Sequence, residues 1–378
     1  MYFDETHNAF RESVRKFVEK EINPHMDEWE ETTVPLHDLF KKMGALGFLG
    51  VRYDTKYGGQ ELDYWFETVL LEELGHIHGL GVPVAISVQT NMATPALAEF
   101  GSEYLKETYL KPAISGDMVS AIAVTEPGSG SDVASLKTRA VRKGDYYILN
   151  GSKIYITNGC QADFLTLLAR TSDNPGHHAF SLLVVPTDLP GFSVGKKLDK
   201  MGLRSSDTAL LFFDDMKVPV ENLIGKEGEG FIYQMKQFQH ERFTALPVAY
   251  IASKDMIDMT VDYLKQRIAF GRPLIEKQVL RHRLVQWLAE IESLKQLTYH
   301  IVRMKNQGLD VTREISMGKL LSGQLITKVA DGCLQMFGGM GLMNETLISR
   351  YYRDARLLPI GGGADEVMSD IVAKKQGY

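Results

Sequence analysis

Twice along this chain the spacing of the apolar residues changes period, and that double change restricts the fold more than any other feature. From Asn8 to about Lys111 the repeat is helical: Phe10, Val14, Phe17 and Val18 share one face, and Phe66, Val69, Leu70 and Leu74 repeat the spacing. Asn23-Pro24 is expected to stop the first helix, since proline brings no N–H to the ladder. Between about Ser120 and Val220 the period falls to two. Turn pairs such as Gly144-Asp145 and Asn150-Gly151 there separate short strands like Tyr146–Leu149, Ser181–Val185 and Leu210–Phe213. After Glu227-Gly-Glu-Gly230 the helical period returns, with Ile257, Val261, Leu264 and Ile268 on one helix and Leu280, Leu284, Trp287, Leu288, Ile291 and Leu294 on the next. Gly271-Arg-Pro273 separates the two. A third helix carries Leu321, Leu325, Val329 and Met336 and ends at Gly338-Gly339, where glycine supplies a left-handed turn. The pattern predicts an α+β chain: an all-α unit over 1–117, an antiparallel β unit over 118–225, and a four-helix bundle over 226–378.

A length of 378 residues is ample for two or three packed units with a large apolar interior. The net charge of −6 argues against a nucleic-acid partner. Cys160 and Cys333 are far apart and lack His or Cys at ligand spacing, so neither a disulfide framework nor a zinc site is expected, and a reducing compartment fits. No stretch approaches the ~20 apolar residues of a membrane span. The acidic N-terminus (Asp4, Glu5, Glu12) resembles neither a secretory nor a transit segment, so the expected location is the cytoplasm of a bacterium, or the mitochondrial matrix for a processed eukaryotic chain. His177-His178 is read as a solvated pair, and no metal is expected.

Chemistry concentrates first in Ala121-Ile-Ala-Val-Thr-Glu-Pro-Gly-Ser-Gly-Ser-Asp132, where a short apolar run enters a Thr/Ser/Gly turn. Such a turn presents backbone N–H groups and hydroxyls to a flat ligand with a phosphate tail. On composition alone a plain turn after a buried strand is the commoner reading of such a segment. Together with Tyr155-Ile-Thr-Asn158 and Met201-Gly-Leu-Arg-Ser-Ser-Asp-Thr208, in this order, it resembles the acyl-CoA dehydrogenase family in three places. The helix, sheet and bundle order of that family agrees with the periodicity over nearly the whole length.

The resemblance implies a bound FAD. Ile122, Val124, Thr125 and Ser131, with Tyr155, Ile156 and Thr157, match the family's flavin-contacting segments; Ser131 also faces the thioester's pantetheine, and Tyr155 stands where many members have tryptophan. Arg267, Phe270, Gln278, Gln335, Gly338 and Gly339 match flavin-side positions that the family supplies from a neighbouring subunit, with Arg267 neutralising the pyrophosphate. A homotetramer built as a dimer of dimers follows from the resemblance.

The implied reaction removes the α-proton of an acyl-CoA thioester while a hydride leaves the β-carbon, giving the trans-2-enoyl product, with electrons passed to electron-transferring flavoprotein. It needs a carboxylate in a dry pocket. Most members carry this acid in a loop before the last helix, but Gly362 holds that position in Ile360-Gly-Gly-Gly-Ala-Asp365. Asp365 and Glu366 are read as caps of the following helix. The long-chain and isovaleryl branches place the base in a Glu-Arg pair on a bundle helix, which matches Glu241 as the base and Arg242 as its partner in the substrate pocket. Gly361–Gly363 would then bring backbone N–H groups to the thioester oxygen, with Gly362 and Gly363 leaving room beside the β-carbon. The wording is most similar to long-chain and citronellyl-CoA dehydrogenase-like members, which implies a medium- or long-chain or methyl-branched acyl group. Two alternatives stay open: an acyl-CoA oxidase or flavin monooxygenase on the same fold, and a non-catalytic flavin or acyl-CoA binding protein.

Overall fold

The computed structural model describes residues 2–173 and 176–378. The chain opens with α1 (Glu5–Phe17), held by a capping box in which the Asp4 carboxylate accepts from the N–H groups of Thr6 and His7. The expected stop at Asn23-Pro24 is instead a change of pitch. A π turn over Val18–Ile22 and a 3₁₀ turn over Asn23–His25 carry the chain into α2 (Met26–Thr32), because proline in a first turn costs no ladder hydrogen bond. Further helices are α3 (Leu36–Ala45), α4 (Tyr64–Leu74), α5 (Gly81–Ser87), α6 (Pro95–Phe100), α7 (Glu103–Leu105) and α8 (Lys111–Ser115).

The sheet follows: β1 (Ser120–Ala123), β2 (Arg139–Lys143), β3 (Tyr146–Thr157), β4 (Phe164–Arg170), β5 (Phe180–Pro186), β6 (Phe192–Lys197), β7 (Thr208–Pro219) and β8 (Leu223–Ile224). The order is β6-β7-β3-β2-β4-β5-β8, with β1 added on β4. Its long pairings are antiparallel except that β1 runs parallel to β4. A parallel neighbour requires a crossover connection, and residues 124–138 of that crossover form the loop described below. Apolar side chains fill both faces of the sheet, around Tyr147, Leu149 and Leu165 on one side and Phe164, Leu168 and Phe180 on the other.

The C-terminal part comprises α9 (Gly230–Gln266), a hairpin of β9 (Ile268–Ala269) and β10 (Arg272–Pro273), then α10 (Gln278–Asn306), α11 (Thr312–Phe337), α12 (Leu347–Ala355) and α13 (Asp365–Gln376). Helix α11 packs against α9, α10, α12 and α13. Ile268 lies on the hairpin rather than on the α9 stripe, since the helix ends at Gln266, and Leu321 faces outward. Gly338 terminates α11 with φ 61°, as its glycine predicts.

Helix α9 begins flat against the sheet: a Cβ on Gly230 would lie 2.3 Å from the Ser181 carbonyl carbon of β5. Gly230→Ala must therefore shift the helix that carries Glu241, and it is expected to lower stability by about 2 kcal/mol. Thermal unfolding of the variant checks this.

Candidate active site

Glu241 lies on α9 directly opposite the glycine strap between α12 and α13. A Cβ built on Gly362 would stand 3.3 Å from Glu241 Oε1, so a side chain at 362 and the Glu241 carboxylate compete for one place. Gly362 and Gly363 both adopt left-handed backbone, with φ 68° and 104°. Two cations fix the strap from behind. Arg242 Nε donates to the Gly362 carbonyl at 3.3 Å, while Lys319 of α11 donates to the Leu358 carbonyl at 2.7 Å and also to that of Gly363. The N–H groups of Gly362 and Gly363 have no acceptor among the described residues, whereas that of Gly361, expected to join them, donates to the Leu357 carbonyl at 2.8 Å. The first two are free to receive an oxygen that gains negative charge.

The Glu241 carboxylate likewise has no hydrogen-bond donor among the described residues, although part of its surface remains open. Burial pushes its pKa up to about 7, against the opposing pull of Arg242 and Lys319. An acid with that value is well matched to taking a proton near neutral pH. Burial also draws the Lys319 ammonium down to about 8.

Asp365 and Glu366 do not cap α13. The cap position is Ala364 and makes no side-chain bond, whereas Asp365 already has helical backbone and turns its carboxyl toward α11, with Oδ1 buried and unpartnered. They favour the helix through its dipole alone.

The second group of sequence-marked residues surrounds the crossover loop. A bulge in β3 between Lys153 and Ile156 takes Tyr155 out of the pairing with β7 with φ 60°, leaving the residue 67% exposed. Ile154 N–H donates to the Thr125 carbonyl at 3.0 Å, so the two flavin-type segments lie side by side. Thr125 and Thr157 are half-buried and Ser131 is exposed, whereas Val124 and Ile156 are buried in the cores on either face of the sheet and support the loop from beneath. Ile122 is half-buried. The N–H groups of Thr125, Gly130 and Ser131 have no acceptor among the described residues, and no atom lies within 4 Å of the Cβ positions of Gly128 and Gly130. An open rim of free donors beside an exposed aromatic ring suits a flat ligand with a phosphate tail.

The third group assembles at one end of the bundle. Tyr263 near the end of α9 stacks on Phe337 at 4.3 Å, drawing together Arg267, the hairpin tip, Gln278, Gln335, Gly338 and Gly339, all of them exposed. Phe270 at the tip has φ 55° and is 91% exposed. No hydrogen bond joins this group to the loop or to Glu241 among the described residues.

Three positioning residues escape a reading by motif: Lys319, Lys153, which is buried against Glu126, and Asp354. A signal existed for Lys153, which shares strand parity with the inward-facing Tyr147 and Leu149. His177 and His178 are exposed as expected, His177 stacking on Phe231 at 4.0 Å. Among the described residues no cluster could hold a metal, both cysteines are free, and no helix is long and apolar enough to cross a membrane.

Family models of the acyl-CoA dehydrogenase N-terminal, middle and C-terminal domains match residues 4–117, 121–216 and 228–377. The chain belongs to the acyl-CoA dehydrogenase family. It is 37% identical to an acyl-CoA dehydrogenase of Bacillus subtilis over 99% of this chain and 98% of that protein. It is 35% identical to the mitochondrial long-chain specific acyl-CoA dehydrogenase of Sus scrofa, covering 99% of this chain and 87% of that protein. The crystal structure of acyl-CoA dehydrogenase from Geobacillus kaustophilus superposes with a TM-score of 0.96 at 40% identity, over 100% of this chain and 99% of that one. This acyl-CoA dehydrogenase is thus an oxidoreductase of a flavoprotein family active in fatty acid oxidation. The helix, sheet and bundle architecture is that of the family.

Proposed function

We propose that this dehydrogenase converts a medium- or long-chain, or methyl-branched, acyl-CoA to its trans-2-enoyl thioester with Glu241 as the base. The observation that carries this reading is the unpaired Glu241 carboxylate facing a strap whose glycine N–H groups are free. Thr125, Ser131, Tyr155 and Thr157 would hold FAD with the backbone of Ile122, Val124 and Ile156, while Arg267, Phe270, Gln278, Gln335, Gly338 and Gly339 would reach it from a second copy. When bound, FAD supplies the acceptor for the β-hydride.

The remaining chemistry belongs to the chain. Glu241 takes the α-proton, and its lack of donors keeps it basic. The N–H groups of Gly362 and Gly363 receive the thioester oxygen as it gains charge, which acidifies the α-carbon. Arg242 and Lys319 hold the strap in place and prevent its carbonyls from turning toward that oxygen. The exposure of the hairpin tip, where Phe270 is 91% open, supports a dimer of dimers in which one copy completes the other's site. Electrons leave to electron-transferring flavoprotein, and the relatives named long-chain specific support the chain-length reading.

The test is anaerobic titration with straight and 3-methyl acyl-CoA thioesters. Bleaching of the flavin is expected, and in aerobic turnover with an added artificial electron acceptor kcat/KM should rise about tenfold per pH unit below about 7 and level above it, because the base acts deprotonated. A protein that binds flavin and is bleached by none of these thioesters would refute the proposal, and stoichiometric peroxide once the reduced protein is exposed to air would mark an oxidase.

A further inference from the structure

In the crossover loop from Pro127 to Ser131, Gly128 and Gly130 stand in the open, while Ser129 between them is buried and its hydroxyl donates to the Asp132 carbonyl. The loop's path is fixed at the two ends by one carboxylate. Glu126, at the start, accepts from the N–H groups of Lys137 at 2.7 Å and Thr138 at 2.9 Å, at the end. Its own backbone exchanges hydrogen bonds with Ser129 at 2.9 and 3.0 Å, closing the intervening turn. Lys153 then enters from β3 with 0% exposure, donating to Glu126 Oε1 at 3.0 Å and to the Val124 carbonyl at 2.7 Å.

A buried ion pair is a poor choice for stability alone, since apolar residues of similar volume often serve as well or better. What it can do, and an apolar pair cannot, is dictate direction. The Lys153 ammonium holds the Val124 carbonyl inward, and the Thr125 carbonyl is engaged by Ile154 N–H, so the N–H groups of Thr125, Gly130 and Ser131 are left for the rim. We propose that Lys153, acting through Glu126 and the Val124 carbonyl, is a positioning residue for FAD: it shapes the donor rim from Thr125 to Ser131 without touching the cofactor. The inference rests on the reading of that loop as the flavin site. Burial brings the Lys153 ammonium to about 8, with Glu126 the charged group that faces it, so alkaline conditions weaken the same clamp.

The experiment removes flavin from the purified protein and measures rebinding of FAD by quenching of its fluorescence, for wild type, Lys153→Met and Glu126→Gln, between pH 7 and 9. Expected are a Kd raised at least 30-fold at pH 7 in both variants and apoprotein thermal unfolding within a few degrees of wild type. Wild-type affinity should fall as pH passes 8, and this dependence should vanish in Lys153→Met. If Lys153→Met does not fold, Glu126→Gln decides by the same Kd criterion. Unchanged FAD affinity in the folded variants overturns the inference. A wild-type protein that takes up no FAD at all overturns the site reading instead.

Discussion

Glu241→Gln is expected to keep FAD and bind acyl-CoA normally while losing about 10³-fold or more in the rate of anaerobic flavin bleaching. The upper range of general-base catalysis sets that scale. Glutamine preserves the volume and the α9 packing but cannot accept the α-proton. Stopped-flow reduction at saturating substrate reads the chemical step directly, and the binding step is followed separately by the flavin's spectral perturbation. Asp365, the next acid along the strap, points to α11 and cannot substitute. A variant that bleaches at the wild-type rate would remove Glu241 from the mechanism.

The second large effect is one of stability. Asp354→Ala is expected to cost about 4 kcal/mol, because it strips two buried N–H donors of their acceptor. Asp354 on α12 is fully buried; its Oδ2 accepts from Leu80 N–H at 2.8 Å, just before α5, and its Oδ1 accepts from Leu203 N–H, in the segment between β6 and β7. One carboxylate therefore joins the N-terminal helices, the sheet and the bundle. It also secures Leu203, whose φ of 52° is an uncommon conformation for a residue with a side chain. Asp354→Asn should lose roughly half as much, since its carboxamide still accepts from one N–H but turns an NH₂ against the other. Chemical denaturation should show a lower midpoint with little change in slope. As a control, removing the exposed Lys254–Asp258 pair on α9 should cost less than about 0.5 kcal/mol. A loss below about 1 kcal/mol in Asp354→Ala would mean that those N–H groups find water instead.

These two residues differ in how visible they are in the sequence. Glu241 is marked by its Glu-Arg neighbourhood together with the glycines at 361–363, so its candidacy follows from motif wording. Asp354 carries no such mark, and neither does Lys319. The Met201–Thr208 segment is recognisable as a motif, yet its physical part, a seam between three units, emerges only when Leu203 meets Asp354 and Ser205 N–H meets Glu30. The Asn23-Pro24 stop and the helical placement of Ile268 failed for a local reason: apolar spacing continues smoothly across a π turn or into a hairpin, while hydrogen-bond geometry does not.

The sequence by itself determined the succession of helices, sheet and bundle and the Thr/Ser/Gly loop, and its motif wording marked the acid on α9 as a candidate. Periodicity and turn chemistry are properties of neighbouring residues, and these act before any long-range contact exists. Only the tertiary structure decided that Glu241 faces Gly362 across 121 positions, that Lys319 and Arg242 tie down the strap, and that Lys153 reaches Glu126. Buried polar groups must find partners wherever packing places them, and that placement is set by how whole elements dock, which no local pattern encodes.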